Sequence, residues 1–187
     1  MRREVMEVLR IAGAVSPKLL ADIACGTGHY ARAFADAYPE ARVYGMDVSL
    51  AMLRQAQKKA RSPHYGNIFF VRGDIHLIPL ADRSMDVVNC CGALHLFTTL
   101  QPIWREISRI LRPGGVFCGW TLVAHSQGPE RSIQNRLMRR RKATFFHPVG
   151  LADDLRVAGL RWFRWNKRRA WLLFRAVKAA EEDNSSL

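Results

Sequence analysis

A short apolar run that ends on a carboxylate and two glycines constrains this chain more than any other stretch. Leu19 to Ala24 suits a strand buried on both faces, and Cys25-Gly26-Thr27-Gly28 breaks it before Ala31, Ala33, Phe34, Ala35 and Ala37 take up helical spacing. The pattern predicts strand, tight turn, helix. Glycines at 26 and 28 let backbone approach a ligand where a Cβ would collide, and a helix starting near His29 aims unpaired N–H groups at it. Asp22 falls near the carboxyl end of the strand, the side on which open parallel sheets bind ligands, and a carboxylate there suits a ligand with an ammonium group.

The alternation continues along the chain. Ala41 to Met46 predicts a buried strand delivering Asp47, and Ser49 caps a helix through Ala60 with Met52, Leu53 and Ala56 on its inner face. Asn67 to Val71 is a third strand, closed by Gly73-Asp74, and Asp86 to Cys91 a fourth, with Gly92 and His95 just beyond its end. Gln101 to Leu111 is helical, Arg112 to Gly115 a turn, and Val116 to Val123 a fifth strand. A polar, basic insert at 125–147 follows, with a helix over 129–143 that turns Ile133 and Leu137 inward. A last helix at 148–158 leads to strands at 162–165 and 170–177 around a hairpin turn. The expectation is a three-layer α/β domain with a Rossmann-like, seven-stranded sheet, mainly parallel, with an antiparallel C-terminal hairpin. It occupies residues 1–178, opens with a short helix at 1–13, and leaves 179–187 as a flexible acidic tail.

Hydrophobic residues make up 49% of the 187 and charged residues 24%, the composition of one ordinary globular domain. The net charge of +13 is uneven, with 14 Lys/Arg against 6 Asp/Glu in residues 121–187. Arg139, Arg140, Arg141 and Lys142 form one cationic run, and Lys167, Arg168 and Arg169 another. These runs suit phosphates of RNA or of an anionic membrane surface, or simply a solvated basic face. No apolar run reaches the length of a membrane span, and the amino terminus alternates charge with apolar residues, unlike a secretory signal. Cys25, Cys90, Cys91 and Cys118 lack metal-binding spacing and are expected to be reduced and structural, in a cytoplasmic compartment or peripheral to a membrane.

Two cofactor classes fit the turn. Gly26 to Ala31 satisfies a dinucleotide fingerprint with Asp47 as the ribose-binding acid. The S-adenosylmethionine turn fits as well, with Asp22 as its acidic residue. The later motifs decide: DIACGTG at 22–28, VYGMD at 43–47, GDI at 73–75, PLADRSMDVV at 79–88 and LRPGG at 111–115. In that order the chain resembles a class I S-adenosylmethionine-dependent methyltransferase of the type 11 group, which includes the ubiquinone and menaquinone biosynthesis C-methyltransferases, over residues 18–178.

The resemblance implies that Asp22 and the turn of Ala24, Cys25, Gly26, Thr27 and Gly28 hold the methionine end of the cofactor, with His29 near it. Ala24 stands where the family often has glycine. Asp47 would take the ribose hydroxyls, Val48 and Met52 the adenine faces, Asp74 and Ile75 the adenine amine, and Cys90 and Cys91 the methyl group's exit. His95 is the candidate base or acceptor-orienting group. The implied activity is in-line methyl transfer to a small lipophilic or aromatic acceptor, leaving S-adenosylhomocysteine. Alternatives are an RNA methyltransferase using the basic face and a non-catalytic cofactor-binding or interaction module. Related proteins carry a longer segment before the first strand, which leaves either an open site here or a chain that is part of a longer protein.

Overall fold

A computed structural model of the protein describes residues 16–125, 127, 129–140 and 143–180. The expected helix at 1–13, the cations Arg141 and Lys142, and residues 181–187 of the tail lie outside the described residues.

The elements are β1 (Leu19–Ile23), α1 (His29–Ala37), β2 (Arg42–Asp47), α2 (Leu50–Lys59), β3 (Ile68–Arg72), β4 (Met85–Cys91), α3 (Gln101–Ile110), β5 (Leu111–Leu122), α4 (Pro129–Arg139), α5 (Pro148–Val157), β6 (Leu160–Arg168) and β7 (Trp171–Lys178). Single 3-10 turns occupy Pro63–Tyr65 and Leu94–Leu96. The strands form one seven-stranded sheet in the order β3-β2-β1-β4-β5-β7-β6. The first five are parallel, and β7 runs antiparallel to both β5 and β6. Strand order reverses beside β1, so the chain crosses to opposite sides of the sheet and leaves a crevice beyond the carboxyl ends of β1 and β4.

Side-chain alternation sends neighbouring residues of each central strand to opposite faces. Ile23, Val88 and Phe117 join Trp104 and Ile107 of α3 and Leu151 and Leu155 of α5 on one face. Leu20, Val87 and Cys118 join Ala31, Phe34 and Ala35 of α1 on the other. Each large side chain buried in this way contributes about 1.5–3 kcal/mol relative to exposure, which is what holds the strand ends in register at the crevice.

Three expectations need correction. The helix in the insert ends at Arg139, and Ile133 is exposed; the helix docks instead through Gln134, whose Oε1 accepts the His125 N–H at 2.8 Å. The turn expected at 112–115 is an irregularity within β5, where Gly114 has φ +75° and the pairing with β4 shifts between Met85 and Val87. The hairpin strands are longer than composition indicates: Asn166, Lys167 and Arg168 pair with Leu173, Leu172 and Trp171, leaving only Arg169-Ala170 between the strands. Cross-strand pairing overrides the poor strand propensity of these polar residues.

Candidate functional site

The parallel strands deliver Asp22, Asp47, Asp74 and Cys91 to one edge of the sheet, around the turn after β1. That turn is left-handed at Ala24 (φ +55°), Gly26 (φ +54°) and Gly28 (φ +69°). The Cys25 N–H donates to Met46 O at 2.9 Å, tying the turn to β2. A Cβ built on Gly26 would meet nothing within 4 Å, so its backbone borders open space. One on Gly28 would sit 3.0 Å from the Phe70 ring. The two glycines therefore serve different ends: Gly26 bares backbone to open space, whereas Gly28 lets the turn settle on Phe70.

Asp47 spends both carboxylate oxygens on backbone. Oδ2 accepts the Gly26 N–H at 2.8 Å and Oδ1 accepts the Ser49 N–H at 2.9 Å, while Ser49 caps α2. One side chain thus fixes the glycine turn against the start of α2. Asp74 is exposed and its Oδ1 accepts both the His76 N–H, at 2.9 Å, and a hydrogen bond from the His76 ring at 2.8 Å. These bonds hold its carboxyl below the usual range. Ile75 is buried, and Val48 and Met52 are exposed; the expectation that Met52 lies on the inner face of α2 fails, because Leu53 and Ala56 fill that face.

Asp22 lies beneath the turn rather than open to the crevice, at 1% exposure. Its Oδ1 accepts from Asn89 Nδ2 at 2.7 Å, and its Oδ2 has no partner. Burial is the main reason its pKa is pushed up to about 7, against the bond from Asn89, and the charge on Asp47 adds to the shift. Cys90, expected at the methyl exit, is instead fully buried in the face packed by α3, since it alternates with Cys91 along β4. Cys91 remains partly exposed, and its thiol donates to Asn89 Oδ1 at 3.1 Å. Burial pushes the Cys25, Cys90 and Cys91 thiols up and holds that of Cys118 at about 12, so none is a thiolate near neutrality.

Beyond β4 stands an aromatic group that the sequence reading missed. Trp120 Nε1 donates to the Tyr30 hydroxyl at 2.6 Å, and the Trp120 ring packs edge-on against Trp171 at 4.3 Å between centroids. Gly92 makes room for it, because a Cβ there would approach the Trp120 ring to 2.6 Å. His95 sits half-buried at 6.4 Å from Trp171, its Nδ1 without a partner, and burial lowers its pKa. The insert returns over this corner: the Thr144 N–H donates to His95 O at 2.6 Å, and its hydroxyl to Phe97 O at 2.8 Å. His29 is exposed, edge-on to Tyr30. Asn89 was legible only as a polar residue inside the apolar run Val87 to Cys91; nothing in spacing marked Trp120 or Trp171. A groove of about 1010 Å³ lined by Arg83, Arg156, Arg161 and Trp162 lies at the opposite, amino edge of the sheet, remote from these carboxylates.

A doubly wound sheet with a bare-backbone turn at its switch point, flanked by carboxylates, defines a nucleotide-cofactor-binding domain of the Rossmann-like class. Within that class the family is settled: a model described as a methyltransferase domain matches residues 21–119, more than half of the 187, and the chain belongs to that family. It is 32% identical over 111 residues to demethylmenaquinone methyltransferase of Geobacillus kaustophilus, covering 59% of this chain and 47% of that protein. It is also 32% identical over 119 residues to malonyl-[acyl-carrier protein] O-methyltransferase of Legionella pneumophila, covering 64% and 40%. The chain spans between 36% and 47% of the length of such relatives. Phosphoethanolamine N-methyltransferase 2 of Haemonchus contortus, solved in complex with S-adenosyl-L-methionine, shares the fold at a TM-score of 0.80 and 15% identity, over 95% of this chain and 52% of that one.

Proposed function

We propose that this chain binds S-adenosylmethionine at the carboxyl edge of its sheet and transfers the methyl group to a small lipophilic or aromatic acceptor. The observation that carries the reading is that Asp22 in β1, Asp47 at the end of β2 and Asp74 just beyond β3 stand at the carboxyl edge of three adjacent parallel strands, the edge that also holds the turn whose backbone at Gly26 faces open space. A sulfonium nucleoside with an ammonium group suits these groups: Asp22 has an unsatisfied, buried carboxylate oxygen, and Asp47 and Asp74 stand at successive strand ends. Ala24, Cys25, Gly26, Thr27, Gly28 and His29 would border the methionine end, Asp47 the ribose, and Val48, Met52, Asp74 and Ile75 the adenine. When bound, the cofactor supplies a methyl group already activated by positive charge on sulfur.

The chain's own contribution is then to hold, align and desolvate, which in well-oriented systems is worth roughly 7–11 kcal/mol. Cys91 would line the exit toward Tyr30, Trp120 and Trp171, whose rings supply flat apolar surface for the acceptor. His95, whose burial favours the neutral ring, would accept a proton from the acceptor or orient its hydroxyl. The reading extends to the exposed cations Arg139, Arg140, Lys167, Arg168 and Arg169, which would meet anionic headgroups where a lipophilic acceptor resides.

Thermal denaturation with S-adenosylmethionine, S-adenosylhomocysteine and NAD in parallel tests this. A ligand at 100 times its dissociation constant stabilises by about 2.7 kcal/mol, so the first two are expected to raise the midpoint and NAD to leave it unchanged. A shift with NAD alone would reject the proposal.

A further inference from the structure

Asn89 belongs to no motif, is fully buried, and uses both ends of its amide. Nδ2 donates to Asp22 Oδ1 at 2.7 Å, while Oδ1 receives the Cys91 thiol at 3.1 Å and, more distantly, the Cys118 thiol at 3.9 Å. Cys91 in turn neighbours the Tyr30 hydroxyl, which accepts from Trp120 Nε1 at 2.6 Å. The row Trp120, Tyr30, Cys91, Asn89, Asp22 thus runs from β5 through α1 and β4 to β1. A buried amide has no water to turn toward, so the end it offers Asp22 is set by what its other end receives. Thiol donors select the orientation in which Nδ2 faces the carboxylate. The reverse orientation would set Asn89 Oδ1 against Asp22 and strip that carboxylate of its side-chain donor.

We propose that Asn89, oriented by Cys91, is the positioning residue that aims Asp22 beneath the glycine turn and favours its charged form against burial, so that a cationic group bound beside Gly26 meets a carboxylate rather than a carboxylic acid. The inference rests on the cofactor reading above. The other groups facing Asp22 do not supply this. Asp47 from β2 opposes its charge, Cys25, Cys90, Cys91 and Cys118 stay neutral thiols, and Tyr30 stays a neutral phenol; only the Ala31 amide of α1 adds support.

Two readouts test it on the full chain. The Asp22 titration is followed by carboxyl 13C NMR without ligand, and S-adenosylhomocysteine affinity is followed by calorimetry across pH 5.5–8.5. In Asn89→Leu the Asp22 midpoint is expected to rise by about one to two pH units, the size of a lost hydrogen bond to a charged acceptor, and the rising limb of affinity to move with it. Cys91→Ala moves both midpoints in the same direction by less, and Cys91→Ser, which keeps a donor, restores them. Should Asn89→Leu fail to fold, the Cys91 pair decides. Unmoved midpoints, with affinity lowered by one factor at every pH, would overturn the proposal and leave Asn89 a packing residue. Shifted NMR midpoints in a protein that binds no S-adenosylhomocysteine would instead support the positioning role and reject the cofactor reading.

Discussion

A carboxyl group that folding removes from water costs stability wherever it is charged. Asp22 binds its proton up to about pH 7 in the folded chain, against 3.8 in the open one. Between those values the folded state holds more protons than the unfolded, so this group's contribution to stability falls as pH rises from about 4 to about 7, by on the order of a few kcal/mol. Asp22→Asn removes the titration. Urea unfolding is expected to show the variant gaining on the parent from pH 4.5 to pH 8, whereas a constant difference would mean that Asp22 ionises like a surface acid. Asp47 presents the other case, a carboxylate in which each oxygen already accepts one backbone N–H and keeps a lone pair to spare. Asp47→Ala strands the amides of Gly26 and Ser49 and is expected to cost about 1–2 kcal/mol in urea, together with S-adenosylhomocysteine affinity in calorimetry. Full affinity would show that the turn holds without it. Sequence showed where these acids fall because each stands at or beside the carboxyl end of an apolar strand run. It did not show that Asp22 would be covered or that Asn89 would hold it, since both depend on which strands become neighbours. Cys90 and Cys91 were told apart only once the pleat of β4 set their faces.

Elements recur where local signal and packing agree. β1 to β4 fall close to their expected bounds because each is a short apolar run closed by a turn residue, and α3 because its apolar stripe matches the helical period. The insert helix was misread in its facing, for a polar residue, Gln134, makes the docking contact that Ile133 was expected to make. Close approach of strands was equally invisible. Gly119 pairs with Cys90, and a Cβ there would lie 2.1 Å from the Cys90 carbonyl oxygen. Because that atom is backbone of a central strand, Gly119→Ala must part β4 from β5 and is expected to cost about 3 kcal/mol or to prevent folding, read as loss of a cooperative urea transition. The hairpin offers a change of opposite sign. Arg169 is exposed and held at φ +52° in the two-residue link between β6 and β7. Glycine adopts that conformation without steric strain, so Arg169→Gly is expected to raise stability by about 0.5–1 kcal/mol; a loss of that size would show that the arginine side chain contributes more than its backbone costs.

At the scale of the whole molecule, charge and architecture converge on one edge. The antiparallel return of β7 brings the end of β6 and its link to β7, with Lys167, Arg168 and Arg169, to the edge where β1 to β5 end. Arg139 ends the helix that follows β5, and Arg140 comes directly after it. No helix among the described residues is long and apolar enough to cross a membrane, so contact with lipid through these elements would be made at the headgroups. Exposed apolar side chains, Leu77, Leu96 and Trp171, stand on turns and strand ends at the same edge. A cation near an anionic surface contributes about 1 kcal/mol, and the attraction fades within a Debye length. Co-sedimentation with phosphatidylserine vesicles is therefore expected at 50 mM salt and to be largely lost at 500 mM. Neutral vesicles should recover little protein. Replacing Lys167, Arg168 and Arg169 together by glutamine is expected to weaken partitioning on the order of a hundredfold without changing S-adenosylhomocysteine affinity, since the three lie at or just after the end of β6, the outer strand, with β4, β5 and β7 between it and β1. Equal recovery on neutral and anionic vesicles would assign binding to the apolar side chains, and no recovery on either would reduce the basic edge to a solvated face.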